Sequence, residues 1–338
     1  KYKTEFSLSW LSGIATGSSY GIGGYVTFGF SDWTGDNWII FQTQSYVTDI
    51  SNVTFFFDYL YLKKRMDLNL STYQYWSISY LPKYYSFSYD KILGSNISLY
   101  YPFNRFDRIE FGLSYNYYTR YIGDFTIFGF IYDSILFKNS FSGYIGFSRD
   151  KILYYPWGPV DGYGFFILFQ PYMPISQIKN NIIYQDFRYY LRFAKRYIFA
   201  FRTIFFSSFG EDKEGIILYG PDLIRGWTLD TFLIGNNAFI TNLEFRFPFI
   251  EYLKLGFPIP LTISFIRGSI FYDIGSAWFD KDFKFFNNDS LHTPKSAFGF
   301  NISVFLGFGN IYFTWAWRTN LKYTNNSPNF SIYLGLDY

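Results

Sequence analysis

Apolar and polar residues alternate along most of the chain with a period of two. In residues 239–247 the odd positions are Phe, Thr, Leu, Phe and Phe, whereas the even positions are Ile, Asn, Glu and Arg. Residues 109–117, 187–193 and 330–338 repeat the alternation. Successive side chains of a β-strand point to opposite faces of the sheet, so the pattern predicts strands with one apolar face. No stretch has a convincing helical period, and we expect little helix.

The alternation predicts about sixteen strands. They centre near residues 4–12, 22–31, 37–46, 52–63, 67–77, 93–101, 105–118, 139–152, 162–170, 183–194, 197–207, 237–249, 265–278, 296–306, 310–317 and 329–338. Many reach roughly 10–14 residues, the length that a tilted strand needs to cross a bilayer. Residues 124–136 are interpreted as an extra β-element inside a loop.

The connections between these strands alternate in length. The short ones are residues 63–66, 101–104, 194–197 and 307–310, and the long ones are 78–92, 119–138, 208–236, 279–295 and 318–328. Short periplasmic turns and long extracellular loops are typical of outer-membrane β-barrels. An even number of strands would place both termini on the periplasmic side. Residues 250–264 depart from this pattern, being too long for a simple turn.

The composition favours the same architecture. Of 338 residues, 26% are aromatic and 16% charged, whereas a soluble domain has about a quarter of its residues charged. No run of roughly 18 apolar residues could form a membrane-spanning helix. We therefore predict an all-β fold, a transmembrane antiparallel β-barrel of about sixteen strands that forms a single domain over 1–338. The alternative is a soluble β-sandwich or propeller, which would show shorter strands and more surface charge.

Other classes of function find little support. The net charge of +3 and the scattered basic residues do not predict nucleic-acid binding, and the absence of cysteine excludes disulfides and thiolate metal sites. His292 is the only histidine, and no G-x-S-x-G motif occurs, since "GFSRD" differs at its last position. We expect no enzymatic activity, no cofactor and no metal.

Four segments of the C-terminal third resemble the BamA/TamA-like superfamily of outer-membrane assembly and secretion barrels, also described as the bacterial surface-antigen barrel domain. "LIRGW" (223–227) is similar to the V-R-G-F/Y motif of the long sixth extracellular loop. "NAFITNLEFRFPF" (237–249) resembles the twelfth strand, and "FYDIG" (271–275) matches the F-x-D-x-G motif of the thirteenth. "SIYLGLDY" (331–338) resembles the final strand.

Two further segments carry a looser likeness. "YPFNRFDRIEFGLSYNYYTR" (101–120) and "YYPWGPVDGYG" (154–164) are similar to the barrel portions of family members that have an N-terminal β-propeller. The superfamily normally has periplasmic POTRA repeats or a propeller before the barrel. Nothing before Lys1 supplies one in this chain, so we expect that module to be absent from it.

The resemblance implies a set of site residues. In the family, the sixth loop folds into the barrel lumen and its arginine meets the aspartate of the thirteenth strand. The resemblance assigns this contact to Arg225 and Asp273, with Glu244 as a second carboxylate. Guanidinium and carboxylate groups form two parallel hydrogen bonds. The alternative is that Arg225 is a solvated loop residue and Asp273 an ordinary lumen charge.

Three neighbouring residues complete the loop–lumen motif. Gly226 would allow a tight turn at the loop tip, and Gly275 would leave room for the loop to approach. Trp227 stands where the family motif has Phe or Tyr. The role of the whole set is expected to be structural or conformational.

The resemblance implies a function in protein insertion or translocation at the bacterial outer membrane. The expected mechanism is a weak seam between the first and sixteenth strands, with Gly335 and Tyr338 in the terminal strand. Expected partners are outer-membrane lipid, client outer-membrane or secreted proteins, and periplasmic or lipoprotein accessory subunits. The alternative is a passive or plugged pore, or a structural barrel that anchors a periplasmic or surface partner.

Overall fold

The computed structural model describes ten stretches of the chain. They are residues 4–18, 21–46, 53–126, 129–194, 196–228, 231–256, 261–280, 282–287, 290–306 and 309–335. Within them the fold is built from β-strands, and no α-helix is present. The described residues accordingly include no helix with the length and hydropathy to cross a membrane.

Sixteen long strands and five short ones occur in the described part of the chain. The long strands are β1 (Phe6–Ser18), β2 (Gly21–Asp32), β3 (Asn37–Tyr46), β4 (Thr54–Tyr61), β5 (Asp67–Leu81), β6 (Ser86–Pro102), β7 (Asp107–Thr126), β8 (Gly129–Asp150), β10 (Gly158–Gln170), β11 (Asn180–Phe193), β12 (Tyr197–Gly210), β15 (Asn237–Leu255), β16 (Leu261–Trp278), β19 (Lys295–Phe305), β20 (Asn310–Thr319) and β21 (Asn329–Gly335). The short strands are β9 (Leu153–Tyr155), β13 (Ile216–Leu218), β14 (Leu233–Gly235), β17 (Phe286–Asn287) and β18 (Ser290–Leu291).

The sixteen predicted strands are confirmed, because each coincides with one of the sixteen long strands. One large antiparallel sheet contains seventeen strands, namely the long strands and β9. The pairs β13–β14 and β17–β18 form two separate hairpins. The all-β antiparallel fold inferred from the period-two alternation is therefore confirmed.

Three of the connections are shorter than the sequence pattern predicted, whereas the long ones predicted at 208–236, 279–295 and 318–328 lie between long strands as expected. Residues 78–92 and 119–138 were expected to be loops, but β5 and β6 continue to a turn at 82–85, β7 continues to Thr126, and β8 begins at Gly129. The extra β-element expected at 124–136 is the pair of strand ends at this point. Residues 250–264 likewise consist mostly of β15 and β16. Aromatic and polar residues continue to alternate through these segments. The strands therefore extend through them and remain paired with their neighbours.

The chain divides into two compact units. Unit 1 comprises residues 1–147, 168–182 and 209–214, and unit 2 comprises residues 148–167, 183–208 and 215–338. In unit 1, strands β1 to β7 pair in consecutive order, each antiparallel to the next. In unit 2, β12, β15, β16, β19, β20 and β21 pair in the same manner. The single-domain organisation of residues 1–338 remains a prediction.

The long strands of unit 1 bury polar side chains and expose apolar ones. In β6, Leu93 and Ile97 are exposed, whereas Asp90 and Ser98 on the opposite face are almost fully buried. A soluble protein distributes its residues the other way, because burial of apolar surface drives its folding. Strands with an outward apolar row and an inward polar row are typical of transmembrane β-barrels.

Unit 2 has the same two faces, and its register defines which residues share each face. In the β15–β16 pair, Asn242 lies opposite Asp273, and Glu244 lies opposite Phe271. These side chains occupy the polar face of the unit, whereas Ile270 on the apolar face is 58% exposed. The polar face therefore presents carboxylates and amides of adjacent strands side by side, where a loop can contact them.

We expect the purified protein to need detergent or lipid, because the apolar faces of both units carry exposed Phe, Tyr, Ile and Leu. In a nonionic detergent it should be monodisperse in size-exclusion chromatography and should migrate differently on a gel before and after heating. After removal of the detergent it should aggregate. A stable monomer in plain buffer, with an unchanged circular dichroism spectrum, would contradict the membrane interpretation.

Candidate functional site

The candidate site lies where the long connection between β12 and β15 meets the polar face of unit 2. The antiparallel pairing of β13 with β14 runs from Ile216 opposite Gly235 to Leu218 opposite Leu233. At the tip, the Gly220 amide donates to the Trp227 carbonyl at 2.8 Å, and the Ile224 amide donates to the Gly220 carbonyl at 3.1 Å. These bonds hold residues 220–227 in a compact turn that presents Arg225.

Arg225 forms a buried, three-bond contact with Asp273 of β16. Its Nε donates to Oδ2 and its Nη2 donates to Oδ1, each at 2.7 Å, and its backbone amide donates to Oδ2 at 3.0 Å. Arg225 is 3% exposed and Asp273 is 0% exposed. The structure therefore brings together the two residues that the sequence singled out, in a two-pronged geometry with a third bond from the backbone.

Other side chains of the polar face complete the surroundings of the guanidinium group. Nη1 of Arg225 lies 3.4 Å from Oε2 of Glu244, which is the second carboxylate named from the sequence. The ring of Phe271 lies under the guanidinium, with its centroid 3.7 Å from the Cζ atom of Arg225, where a cation–π attraction is favourable. Asn242 donates to Oδ1 of Asp273 and to the Leu223 carbonyl, both at 2.8 Å.

Gly226 is required both by its backbone conformation and by its close packing. Its φ of +83° lies in the left-handed region, and an added Cβ would lie 2.8 Å from the Cβ of Ala316. Its carbonyl accepts hydrogen bonds from Nε of Arg318 and Nδ2 of Asn329, both at 2.6 Å. The loop tip is thus tied to β20 and β21 as well as to β16.

The apolar residues of the loop pack into a cluster on the same face. The buried members are Ile204, Leu218, Ile224, Ala238, Ile240 and Ala277, and Leu223 and Trp227 pack against them. Gly275 permits this approach, since a Cβ there would lie 2.5 Å from Cδ1 of Ile224. Trp227 also faces Arg318, whose Cζ lies 5.0 Å from the ring centroid. Apolar burial and the ion pair therefore hold the loop in one position.

The burial of the ion pair decides its energetic weight. An exposed ion pair contributes only about 0–1 kcal/mol, because both ions remain hydrated without each other. Removing one partner of a buried pair costs about 3–5 kcal/mol, because it leaves the other charge unpaired and without water. Asp273 and Glu244 together face Arg225, and Glu244 also lies 3.4 Å from Nη2 of Arg246. The two arginines and the two carboxylates together carry no net charge.

Sequence reasoning missed several residues of this site. Asn242, Arg318 and Asn329 contact the loop or Asp273, and their only sequence signal is their position in the polar-face rows of their strands. Phe271 is the first residue of the F-x-D-x-G motif, but its contact with Arg225 was not expected. Gly335 ends β21 opposite Asn310. A Cβ at Gly335 would meet only ordinary contacts of 3.7 Å or more, so close packing does not require glycine there. Tyr338 lies outside the described residues.

A second arginine–carboxylate cluster, in unit 1, was also missed. Nη2 of Arg120 on β7 donates to Asp90 of β6 at 2.7 Å and to Glu214 at 2.5 Å. Glu214 lies at the start of the long connection, so that start is fixed to β6 and β7. Nearby, Lys83 donates to Oδ1 of Asp212 at 2.8 Å. Burial acts to raise the pKa of Asp212, but hydrogen bonds from Lys83 and the Lys179 amide lower it below its usual value.

Alanine at Gly226 should release the loop tip, and Gly220 provides a matched control. Both glycines have positive φ, but an added Cβ at Gly220 would meet nothing within 4 Å. Gly226→Ala should therefore add a clash with Ala316 to the backbone strain of about 1–3 kcal/mol that both variants share. The measurement is the rate at which proteinase K cuts residues 211–236 in the folded protein. Equal rates for the two variants would contradict the packing of the tip.

Comparison with known proteins identifies the fold. No family model and no curated protein matches the sequence. The structure is similar to the crystal structure of BamA from Haemophilus ducreyi lacking POTRA domains 1–3, with a TM-score of 0.68 and 15% identity, over 99% of this chain and 70% of that one. It is also similar to CdiB from Escherichia coli (TM-score 0.57, 14% identity) and to CdiB from Acinetobacter baumannii (TM-score 0.51, 12% identity).

Both CdiB comparisons cover 98% of this chain, which spans 66% and 59% of the length of those proteins. At this level of identity the similarity concerns the fold. The chain has the fold of the BamA/TamA-like superfamily of outer-membrane β-barrels.

Proposed function

We propose that this protein is an outer-membrane β-barrel that inserts or translocates other proteins. In this proposal the loop of residues 211–236 stays fixed on the polar face. The protein opens at the weak seam between the first and the last long strand, β1 and β21. The observation that carries the proposal is the buried contact of Arg225 with Asp273, in the fold shared with BamA and CdiB. The likeness of "LIRGW" and "FYDIG" to the family motifs supports the same assignment.

The loop contact supports a conformational role for the site. Asp273 accepts three hydrogen bonds from Arg225 and one from Asn242, and none of these residues is exposed. Such an arrangement holds a loop and a strand in register without presenting a nucleophile or a proton donor to a substrate. We therefore propose that the loop–lumen motif stabilises the conformation in which the protein functions. We propose no catalytic reaction for the protein.

The first hairpin has the features of a weak sheet edge. In the β1–β2 pair a bulge lies between Leu8 and Trp10. The last four pairs, from Ala15 opposite Gly24 to Ser18 opposite Gly21, each contain at least one glycine. Glycine lowers the stability of strand pairing, and an unpaired edge can accept a strand of another protein. A client strand could therefore add to β1 by β-augmentation.

The location and the partners belong to the same proposal. The fold, together with the exposed apolar faces, supports integral placement in a bacterial outer membrane, with lipid against the apolar faces. The expected clients are unfolded outer-membrane or secreted proteins. Periplasmic or lipoprotein subunits would deliver them to the barrel.

Site-specific photo-crosslinking tests whether β1 receives a client strand. A photoreactive amino acid at Leu11 of β1 should crosslink to an unfolded barrel protein during its insertion into liposomes that contain the full-length protein. The matched control is Ile97 of β6, because Leu11 is 60% exposed and Ile97 is 52% exposed, and β6 pairs with β5 and β7 on its two sides. Crosslinks should form at Leu11 and be absent at Ile97.

The insertion rate provides the second measurement. The client should insert and fold several-fold faster into liposomes that contain the protein than into empty liposomes. The rate is measured as the fraction of client that becomes protected from protease over time. Equal rates, with no crosslink at Leu11, would contradict the proposal and favour a passive or plugged barrel.

A further inference from the structure

Two neighbouring turns of unit 1 lie side by side at one end of its sheet. Residues 62–66 join β4 to β5, and residues 103–106 join β6 to β7. The turns are adjacent because β5 pairs with both β4 and β6. Arg65 links them, since its Nε donates to the Pro102 carbonyl and its Nη2 to the Phe103 carbonyl, each at 3.3 Å. Residues 62–66 and 103–106 are called the basic turn pair below.

The exposed surface of the basic turn pair is positively charged. Four exposed cations form no ion pair with a carboxylate of the described residues, namely Lys63, Lys64, Arg65 and Arg105. The carboxylates nearest in sequence are Asp67, which is half-buried, and Asp107 and Glu110, which are buried. Glu110 pairs with Arg108 at 2.8 Å. The four cations are therefore available to an anionic partner.

Apolar side chains are exposed between these cations. Their exposed fractions are 38%, 46%, 52% and 41% for Leu62, Met66, Phe103 and Phe106. The Cζ atom of Arg65 lies 4.9 Å from the ring centroid of Tyr101, and that of Arg105 lies 5.8 Å from the ring centroid of Phe106. Long basic side chains often cover apolar surface with their stems while the charged group stays in a polar environment. This surface is thus amphipathic.

The apolar row of β6 leads directly to the basic turn pair. The row consists of Lys91, Leu93, Ser95, Ile97, Leu99 and Tyr101. At about 3.4 Å per residue and a strand tilt of about 40°, it spans about 25 Å, which is the height of the apolar band of a transmembrane barrel. In the membrane placement of the proposed function, on which this step rests, Tyr101 lies at one interface and the turns lie among the headgroups.

We propose that the basic turn pair binds anionic phospholipid headgroups. Basic side chains beside a membrane are attracted to anionic lipid, and a guanidinium group binds phosphate oxygens through two parallel hydrogen bonds. The exposed apolar side chains would contact the upper part of the acyl chains. An acidic protein would match the cations equally well, but it would not account for their continuity with the apolar row of β6.

Native mass spectrometry of the full chain tests this assignment. The protein in nonionic detergent is mixed with equal amounts of dioleoylphosphatidylglycerol and dioleoylphosphatidylcholine, which have the same acyl chains and differ in headgroup charge. The parent should retain several-fold more phosphatidylglycerol than phosphatidylcholine. The experiment involves no client protein, so a failure here leaves the insertion rate as a separate test of the proposed function.

Two triple variants separate charge from the other properties of the turns. Lys63→Gln, Lys64→Gln and Arg105→Gln together should lower the ratio of retained phosphatidylglycerol to phosphatidylcholine by about threefold or more. Lys63→Arg, Lys64→Arg and Arg105→Lys together keep the charges and should keep the parental ratio. Arg65 is left unchanged because it links the two turns. The gel shift on heating shows whether each variant is folded.

Lys322→Gln provides a control for position. Lys322 of unit 2 is also exposed and lies near an aromatic ring, with its Nζ 5.9 Å from the ring centroid of Tyr323. This variant should keep the parental ratio of the two lipids.

Several results would overturn the proposal. They are equal retention of the two lipids by the parent, a parental ratio in the triple glutamine variant, or an equal loss of preference in Lys322→Gln or in the charge-retaining variant. Equal retention of the two lipids, together with a glutamate-rich peptide that the parent holds and the triple glutamine variant loses, would assign the turns to an acidic protein instead.

Discussion

The buried contact between Arg225 and Asp273 is the constraint on which the rest of unit 2 depends. Both groups are almost fully removed from water, so each remains charged at low cost only while the other is present. Because Arg225 lies in a loop and Asp273 in a strand, satisfying the two charges also fixes the loop on the polar face. The packing of Ile224, the turn at Gly226 and the hydrogen bonds of its carbonyl follow from that placement.

The same physical requirement recurs elsewhere on the buried polar rows. In unit 2, Asp186 accepts hydrogen bonds from Arg188 and Arg202. In unit 1, Arg120 lies between Asp90 and Glu214. In each cluster, a buried charge of one sign faces two groups of the opposite sign, which come from the same strand, from a neighbouring strand or from the long connection. The strands can therefore keep their polar rows charged while their apolar rows remain exposed.

The strands could be predicted from the sequence because the alternation of two faces is a local property. The strand ends were less predictable, because Tyr, Phe and polar residues continue the alternation through 78–92 and 119–138, where length suggested loops. The pairing of Arg225 with Asp273 was expected only through the family resemblance. Period two places Asp273 on the polar face, but no local pattern specifies which loop residue reaches it.

The remaining contacts depend on the relative placement of distant strands. Arg318 and Asn329 meet the carbonyl of Gly226, which is separated from them by 92 and 103 positions in sequence. Arg120 meets Glu214 across 94 positions. Trp157 contacts Arg267 and Asn310 in the same long-range manner. Their strand or loop assignments follow from the sequence, whereas their partners follow only from the register and the course of the connections.

The most direct test of this account is a double-mutant cycle on the buried ion pair. Arg225→Ala, Asp273→Ala and the double variant are compared by the rate at which proteinase K cuts residues 211–236, with Thr228→Ala, at an exposed loop position, as control. Each single substitution should accelerate cleavage while the protein keeps its gel shift on heating. In the double variant the loop should be cut at nearly the same rate as in Arg225→Ala alone. This result would correspond to a coupling free energy of about 0.5–3 kcal/mol between the two substitutions. Additive effects, or parental cleavage rates in the single variants, would contradict the claim that this pair holds the loop.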